Sequence, residues 1–200
     1  VKEGWDAVTR PVIDRKIPFA VTFGNHDDEQ GMTRLALERL ITSYPYNCNY
    51  PTGGEPSGVL NNVIPVYGGK SDMEVKGLIY CFDSGAYSTV NDVSGYGWIT
   101  TEIIEWYKKQ SLRFPRQNNF QPLPALAYFH IPLSEYQIAF DDESNKRVGV
   151  RKEEECAPKL NPGMFLAMKE MGDVMGTFVG HDHVNNYIVD YYGVALGYGQ

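Results

Sequence analysis

A chain of 200 residues that is 42% hydrophobic has enough apolar material to bury a sizeable core, which excludes a disordered chain and favours a single domain. Its 18 Lys and Arg against 25 Asp and Glu give a formal charge of -7, which repels polyanions and leaves no basic stripe, so nucleic acid is not an expected partner. No apolar run has the length of a bilayer span, and the opening VKEGWDAVTR lacks the apolar stretch of a signal peptide.

The chain opens without Met on a helical pattern that sets Trp5, Val8 and Val12 on one face, and so is expected to begin inside a fold. The run Ile17-Pro18-Phe19-Ala20-Val21-Thr22 predicts a buried strand over 18–23 that delivers FGNHDDE to a loop, the place where ligands bind in open α/β sheets. Asp27 or Asp28 is the expected cap of a helix carrying Leu35, Leu37, Leu40 and Ile41 through about Ser43. A long Pro/Gly-rich loop follows over 44–58. Strand-like runs from Val59 to Tyr67 and from Val75 to Asp83, joined by GGKSDM, read as a hairpin. Next come a helix over roughly Thr100 to Gln110, the run PALAYFHIPL, a polar stretch from Asp141 to Glu155, a helix near Pro162 to Met171, VMGTFVGHDH, and two strands in NYIVDYYGVALGYG. Helices and strands alternate first and strands dominate later, which predicts a layered α/β fold without internal repeats.

Cys48, Cys81 and Cys156 are far apart and odd in number, so they make neither a C-x-x-C metal site nor a complete disulfide set. The four histidines are more informative: His26, His130, His181 and His183 all close strand-like runs, so three segments bring imidazoles to one edge of the sheet. In an extended segment residues i and i+2 point the same way, so His181 and His183 can face one metal cluster. Borderline divalent metals accept imidazole nitrogen and carboxamide oxygen. Asn25, His130, His181 and His183 offer these without a thiolate, which favours Mn, Fe or Zn over a structural zinc site.

In this order, GNHD, the His closing AYFH and GHDH resemble the calcineurin-like metallophosphoesterases, and FGNHDDE, FHIPLSEY and GHDHVNNY are most similar to their purple-acid-phosphatase-related branch. The resemblance covers essentially the whole chain. It implies a β-sandwich flanked by helices, with two divalent or mixed-valence metal ions (Mn, Fe or Zn) bridged by a carboxylate and a solvent-derived hydroxide. It assigns Asn25, His130 and His181 to one metal and His183 to the other. His26 would face the phosphate, stabilise negative charge and protonate the leaving oxygen, and Asp27 would orient its ring. The family pattern has two earlier blocks, an Asp-x-His and a Gly-Asp that supplies the bridging carboxylate, and neither precedes GNHD here. Gly172-Asp173 stands in the wrong order and reads as a helix C-terminus and turn. The chain is therefore expected to be one such domain, incomplete at its N-terminus and, from the abrupt stop at Tyr198-Gly199-Gln200, at its C-terminus.

Two metals roughly 3.5–4 Å apart clamp the attacking and leaving oxygens of an in-line displacement, so hydrolysis of a small phosphate mono- or diester is the expected reaction. Specificity is expected from 44–58 and 134–163. There Tyr44, Tyr46, Tyr50 and Tyr136 stack on a substrate or serve as amphipathic cover, and Arg147, Arg151 and Lys152 hold a second phosphate or form a solvated face. Two rival readings use the same residues: a metal-free binding scaffold on a phosphoesterase fold, and a mononuclear metal hydrolase. The resemblance favours a secreted or periplasmic location, and the sequence leaves the oligomeric state open.

Overall fold

A computed structural model describes residues 1–29, 31–69, 72–114 and 121–199. Five helices and seven strands alternate among them: α1 (Lys2–Asp14), α2 (Arg34–Thr42), β1 (Asn62–Gly69), β2 (Asp72–Cys81), α3 (Thr101–Arg113), β3 (Ala125–Tyr128), α4 (Glu135–Asp141), β4 (Arg147–Val150), α5 (Met164–Met171), β5 (Val174–Val179), β6 (Asn186–Tyr191) and β7 (Val194–Tyr198). None of these helices is long and apolar enough to cross a membrane.

The described strands form a single mixed sheet in the order β1-β2-β3-β5-β7-β6-β4. The layered α/β expectation holds, and the two-sheet sandwich implied by the resemblance is represented among the described residues by this sheet. Its centre, β2, β3, β5 and β7, is parallel, and antiparallel hairpin partners extend it on both sides. Along a strand alternate side chains point to one face, so the core side takes every second residue. The centre supplies apolar residues there as Leu78 and Tyr80, Ala125 and Ala127, Val174 and Val179, and Val194 and Leu196, all buried. α3 covers the sheet with Ile103, Ile104 and Tyr107, and α5 with Met164, Phe165 and Met168. Parallel strands emit their C-terminal ends at one edge, and that edge carries the segments after β3 and β5.

Several expectations change. The segment 18–23 is extended, yet its only pairing is an isolated parallel bridge from Phe19 to Asn47. Its backbone is satisfied by a loop instead of a strand, because Asn49 accepts from Val21 N–H at 2.8 Å and donates to Val21 C=O at 3.2 Å. In α1 the face turned inward runs through Thr9, whose hydroxyl donates to the Trp5 carbonyl at 2.7 Å, and Val8 is 71% exposed. Thr33, not Asp27 or Asp28, caps α2 by accepting from Ala36 N–H. Two short elements, α4 and β4, arise in segments without a readable periodicity. Lys70 and Ser71, in the expected GGKSDM turn, and Gln200 lie outside the described residues. Gly172 ends α5 in the left-handed conformation at φ 72°, as expected, and buried Asp173 accepts hydrogen bonds from the Tyr80 and Tyr107 hydroxyls.

A second, smaller core of Phe23, Leu37, Ile41, Val59 and Leu60 joins α2 to the segment bearing GNHD. Glu38, 1% exposed, organises the loop above it. One carboxylate oxygen accepts from Thr52 N–H, Thr52 O–H and Leu60 N–H at 2.8, 2.6 and 3.1 Å, and the other from Gly53 N–H at 3.0 Å. Burial pushes this carboxyl up, but the hydrogen bonds outweigh burial and hold it below its ordinary value. A depressed carboxyl stabilises the fold above its unfolded-state pKa of roughly 4.3, and that contribution disappears as pH falls through the lower folded value. Glu38→Gln is expected to cost about 1–3 kcal/mol at neutral pH. The gap to wild type should narrow in urea unfolding below pH ~4; an equal gap at both pH values would refute the assignment.

Candidate metal centre

Three separate segments meet at the sheet edge. Asn25, 2% exposed, opens the turn over 25–29; His130 follows β3; His181 follows β5. The Asn25 side-chain oxygen lies 3.0 Å from His130 Nε2 and 3.2 Å from His181 Nδ1, and the two ring nitrogens are 3.3 Å apart. The main chain pins this geometry. Gly180 N–H donates to His130 C=O at 3.3 Å, and Ile131 N–H donates to the buried Ser84 hydroxyl at 3.0 Å. Two glycines make room for the His130 ring: a Cβ on Gly24 would stand 2.9 Å from Nε2, and one on Gly180 would stand 3.4 Å from Nδ1. The glycines of GN and GH are thus close-approach positions for an imidazole.

Burial pushes the His130 pKa down to about 4, helped by the neighbouring His181, His26 and Arg34 charges. Burial also lowers His181, against the pull of Asp182. Both rings are therefore neutral at physiological pH, with lone pairs free for a ligand. His181 Nε2 is buried without a hydrogen-bond partner. Three electron-pair donors this close, with no carboxylate within the trio, fit a cation of borderline hardness.

His183 is exposed and lines the same pocket of about 430 Å³ as Asn25, His130 and His181. The two histidines of GHDH reach it differently from expectation: His181 has φ 75°, in the left-handed region, so the segment is a turn and not an extended run. His26 also lines the pocket, with its side chain 65% exposed. Its Nδ1 lies 2.8 Å from Glu29 Oε1, so the ring is oriented by Glu29 where Asp27 was expected. Asp27 Oδ2 instead accepts from Gly24 N–H at 2.6 Å, and burial raises its pKa. It shapes the turn that carries Asn25.

None of the loop residues offered for substrate contact lines this pocket. Tyr136 is fully buried, its hydroxyl 2.7 Å from Thr177 Oγ1, and so belongs to the core. The Tyr44 hydroxyl donates to Asp6 at 2.6 Å, Tyr46 and Tyr50 are exposed, and none of these four lines the pocket. Arg151 is paired with Asp141 at 2.5 Å and Glu155 at 2.7 Å, Arg147 lies over the Phe140 ring, and Lys152 is likewise away from the pocket.

Sequence reading missed Cys156 and Tyr96. Cys156 Sγ, a His181 ring nitrogen and an Asp182 oxygen lie within 4.8 Å of one another. Burial and Asp182 push the Cys156 thiol up to about 11, which keeps it protonated at neutral pH. Asp182 is already engaged, accepting from Cys156 N–H at 3.2 Å and from the Tyr198 hydroxyl. Tyr96 stands edge-on to His181 with ring centroids 4.3 Å apart. No local signal marks either residue, since long-range loop packing brings both to the site.

Comparison with known proteins identifies the family. The family model described as calcineurin-like phosphoesterase matches residues 3–185. The chain is similar to "Probable inactive purple acid phosphatase 29" of Arabidopsis thaliana, with 36% identity over 207 residues, covering 97% of this chain and 53% of that protein. "Probable inactive purple acid phosphatase 14" of the same organism is 30% identical over 213 residues, covering 99% and 53%. "Phosphatase DCR2" of Saccharomyces cerevisiae is 36% identical over 191 residues, covering 88% and 32%. The chain thus spans about half the length of the two Arabidopsis relatives, at 53% each. No solved structure matches it. A match that runs from α1 to the turn after β5 takes in GNHD, His130 and GHDH together, and the chain belongs to the calcineurin-like phosphoesterase family.

Proposed function

We propose that the full-length protein is a metal-dependent phosphoesterase that hydrolyses phosphate mono- or diesters, and that this chain supplies one wall of a two-metal site. The observation that carries this reading is the convergence of Asn25 Oδ1, His130 Nε2 and His181 Nδ1 within 3.0–3.3 Å. These three would hold one ion, and His183, which lines the same pocket, would serve the other. When bound, such ions supply Lewis acidity and lower the pKa of water. His26, at the pocket mouth, donates a hydrogen bond to the phosphoryl or leaving oxygen. With Nδ1 engaged by Glu29, Nε2 is the nitrogen left for substrate. No Asp-x-His occurs among the 200 residues, so in this reading the remaining ligands come from the rest of the full-length protein.

The words "probable inactive" belong to the names of three Arabidopsis relatives, and they make a metal-free scaffold the reading to exclude. Metal analysis of the purified full-length protein decides. Two equivalents are expected, with His130→Ala and Asn25→Ala each weakening one of them by at least roughly tenfold. None would leave the scaffold, and one would indicate a mononuclear hydrolase.

A further inference from the structure

Arg34, in the first turn of α2, takes no part in the donor cluster, yet its contacts converge on the loop that carries Asn25. One guanidinium nitrogen donates to Gly24 C=O at 3.0 Å and lies 3.6 Å from Asp28 Oδ1. The other donates to Asp83 Oδ1 at 2.6 Å. The guanidinium carbon sits 5.5 Å from the centroid of the Phe23 ring. Phe23 and Asp28 flank GNHD on its two sides, and Gly24, its first residue, is the one whose missing Cβ leaves room for the His130 ring.

The anchor behind Arg34 is rigid. Asp83, just after β2, is 4% exposed and accepts from Val59 N–H at 2.8 Å and Gly85 N–H at 2.9 Å, while its own N–H donates to Asn61 at 2.9 Å. Gly58 approaches so closely at φ +74° that a Cβ there would stand 2.4 Å from Asp83 Oδ2. An ion pair this buried is weak grounds for a stability role, because desolvation offsets most of the attraction and an apolar pair packs as well. What it does supply is position. Arginine's planar fork reaches two acceptors in a fixed plane, which an ammonium group cannot do.

We propose that Arg34 is a positioning residue for the metal centre: locked onto Asp83, it holds the Gly24 carbonyl so that Asn25 Oδ1 stands within reach of His130 and His181. The inference rests on the metal-binding reading above and deepens it by naming what presets the ligand geometry. A hollow of about 330 Å³ is lined by Arg34, Asp83, Gly85, Tyr87 and Trp98, and none of the three donors lines it. A small cation can therefore enter where the side chain is cut back.

The test measures Zn²⁺ and Mn²⁺ dissociation constants of the full-length protein by chelator competition, alongside melting temperature. Arg34→Lys, and the charge-free pair Arg34→Gln with Asp83→Asn, are expected to bind metal about 10- to 100-fold more weakly, the range for groups that orient metal ligands. Met168→Ala, which loosens the main core and not the smaller one that carries GNHD, should lower the melting temperature and leave metal affinity unchanged. Low-millimolar guanidinium should restore much of the affinity of Arg34→Ala. Wild-type affinity in Arg34→Lys and in the double variant would overturn the proposal while leaving the metal site intact. So would an equal loss of affinity in Met168→Ala, since affinity would then follow stability. A wild-type protein that binds neither metal would overturn the proposed function, and this inference with it.

Discussion

His26→Ala in the full-length protein is expected to lower kcat by about 10² to 10⁴ while metal content stays at the wild-type value. The separation follows from geometry. The side chain is 65% exposed at the mouth of the pocket, its Nδ1 is held by Glu29, and the three converging donors are Asn25, His130 and His181. A group that meets the substrate and not the ion changes the chemical step and leaves occupancy alone. Glu29→Gln should lower kcat less, because it frees the ring without removing it. Loss of a metal equivalent in His26→Ala would show that the ring is a ligand.

Phe82→Ala is expected to destabilise the fold by about 3–5 kcal/mol, the range for emptying a large aromatic site that cannot collapse. Phe82 is fully buried, stacked on Tyr80 at 5.7 Å and met edge-on by Tyr107 at 5.8 Å and Trp106 at 6.3 Å. These partners come from β2 and α3, so relaxation of one element cannot fill the void. Denaturant unfolding would read the loss, and a cost below about 1 kcal/mol would mean that α3 shifts inward to close the gap.

The candidate site was legible in the sequence to the extent that its ligands sit in short blocks immediately after apolar runs. GNHD, His130 and GHDH announce themselves this way, and β3 and β5 lie where those runs place them. The turn at His181 was not legible, because a Gly-His-Asp-His tetrapeptide looks the same extended or bent. Cys156 was invisible for a different reason. Its approach depends on Asn185 accepting from Lys152 and Glu153 N–H groups at 2.9 and 3.1 Å, bonds that span more than thirty residues. The unpaired state of 18–23 was equally hidden, since an apolar, strand-prone run reports an extended backbone and says nothing of its hydrogen-bond partner. Arg34 reads as an ordinary helical cation until Asp83 is known to lie behind it.

The left-handed backbone at His181 has a bearing on how the ligand is best removed. At φ 75° most side chains pay a steric cost of roughly 1–2 kcal/mol that Asn, like His, tolerates more readily. Alanine at this position therefore mixes two injuries, loss of a nitrogen donor and a strained peptide, and a fall in metal content could be charged to either. Asparagine keeps the turn and withdraws the imidazole. His181→Asn is accordingly the cleaner knockout: it separates what the ring contributes from what the bend contributes, and the difference between the two variants measures how far the backbone has been bent ahead of the ion.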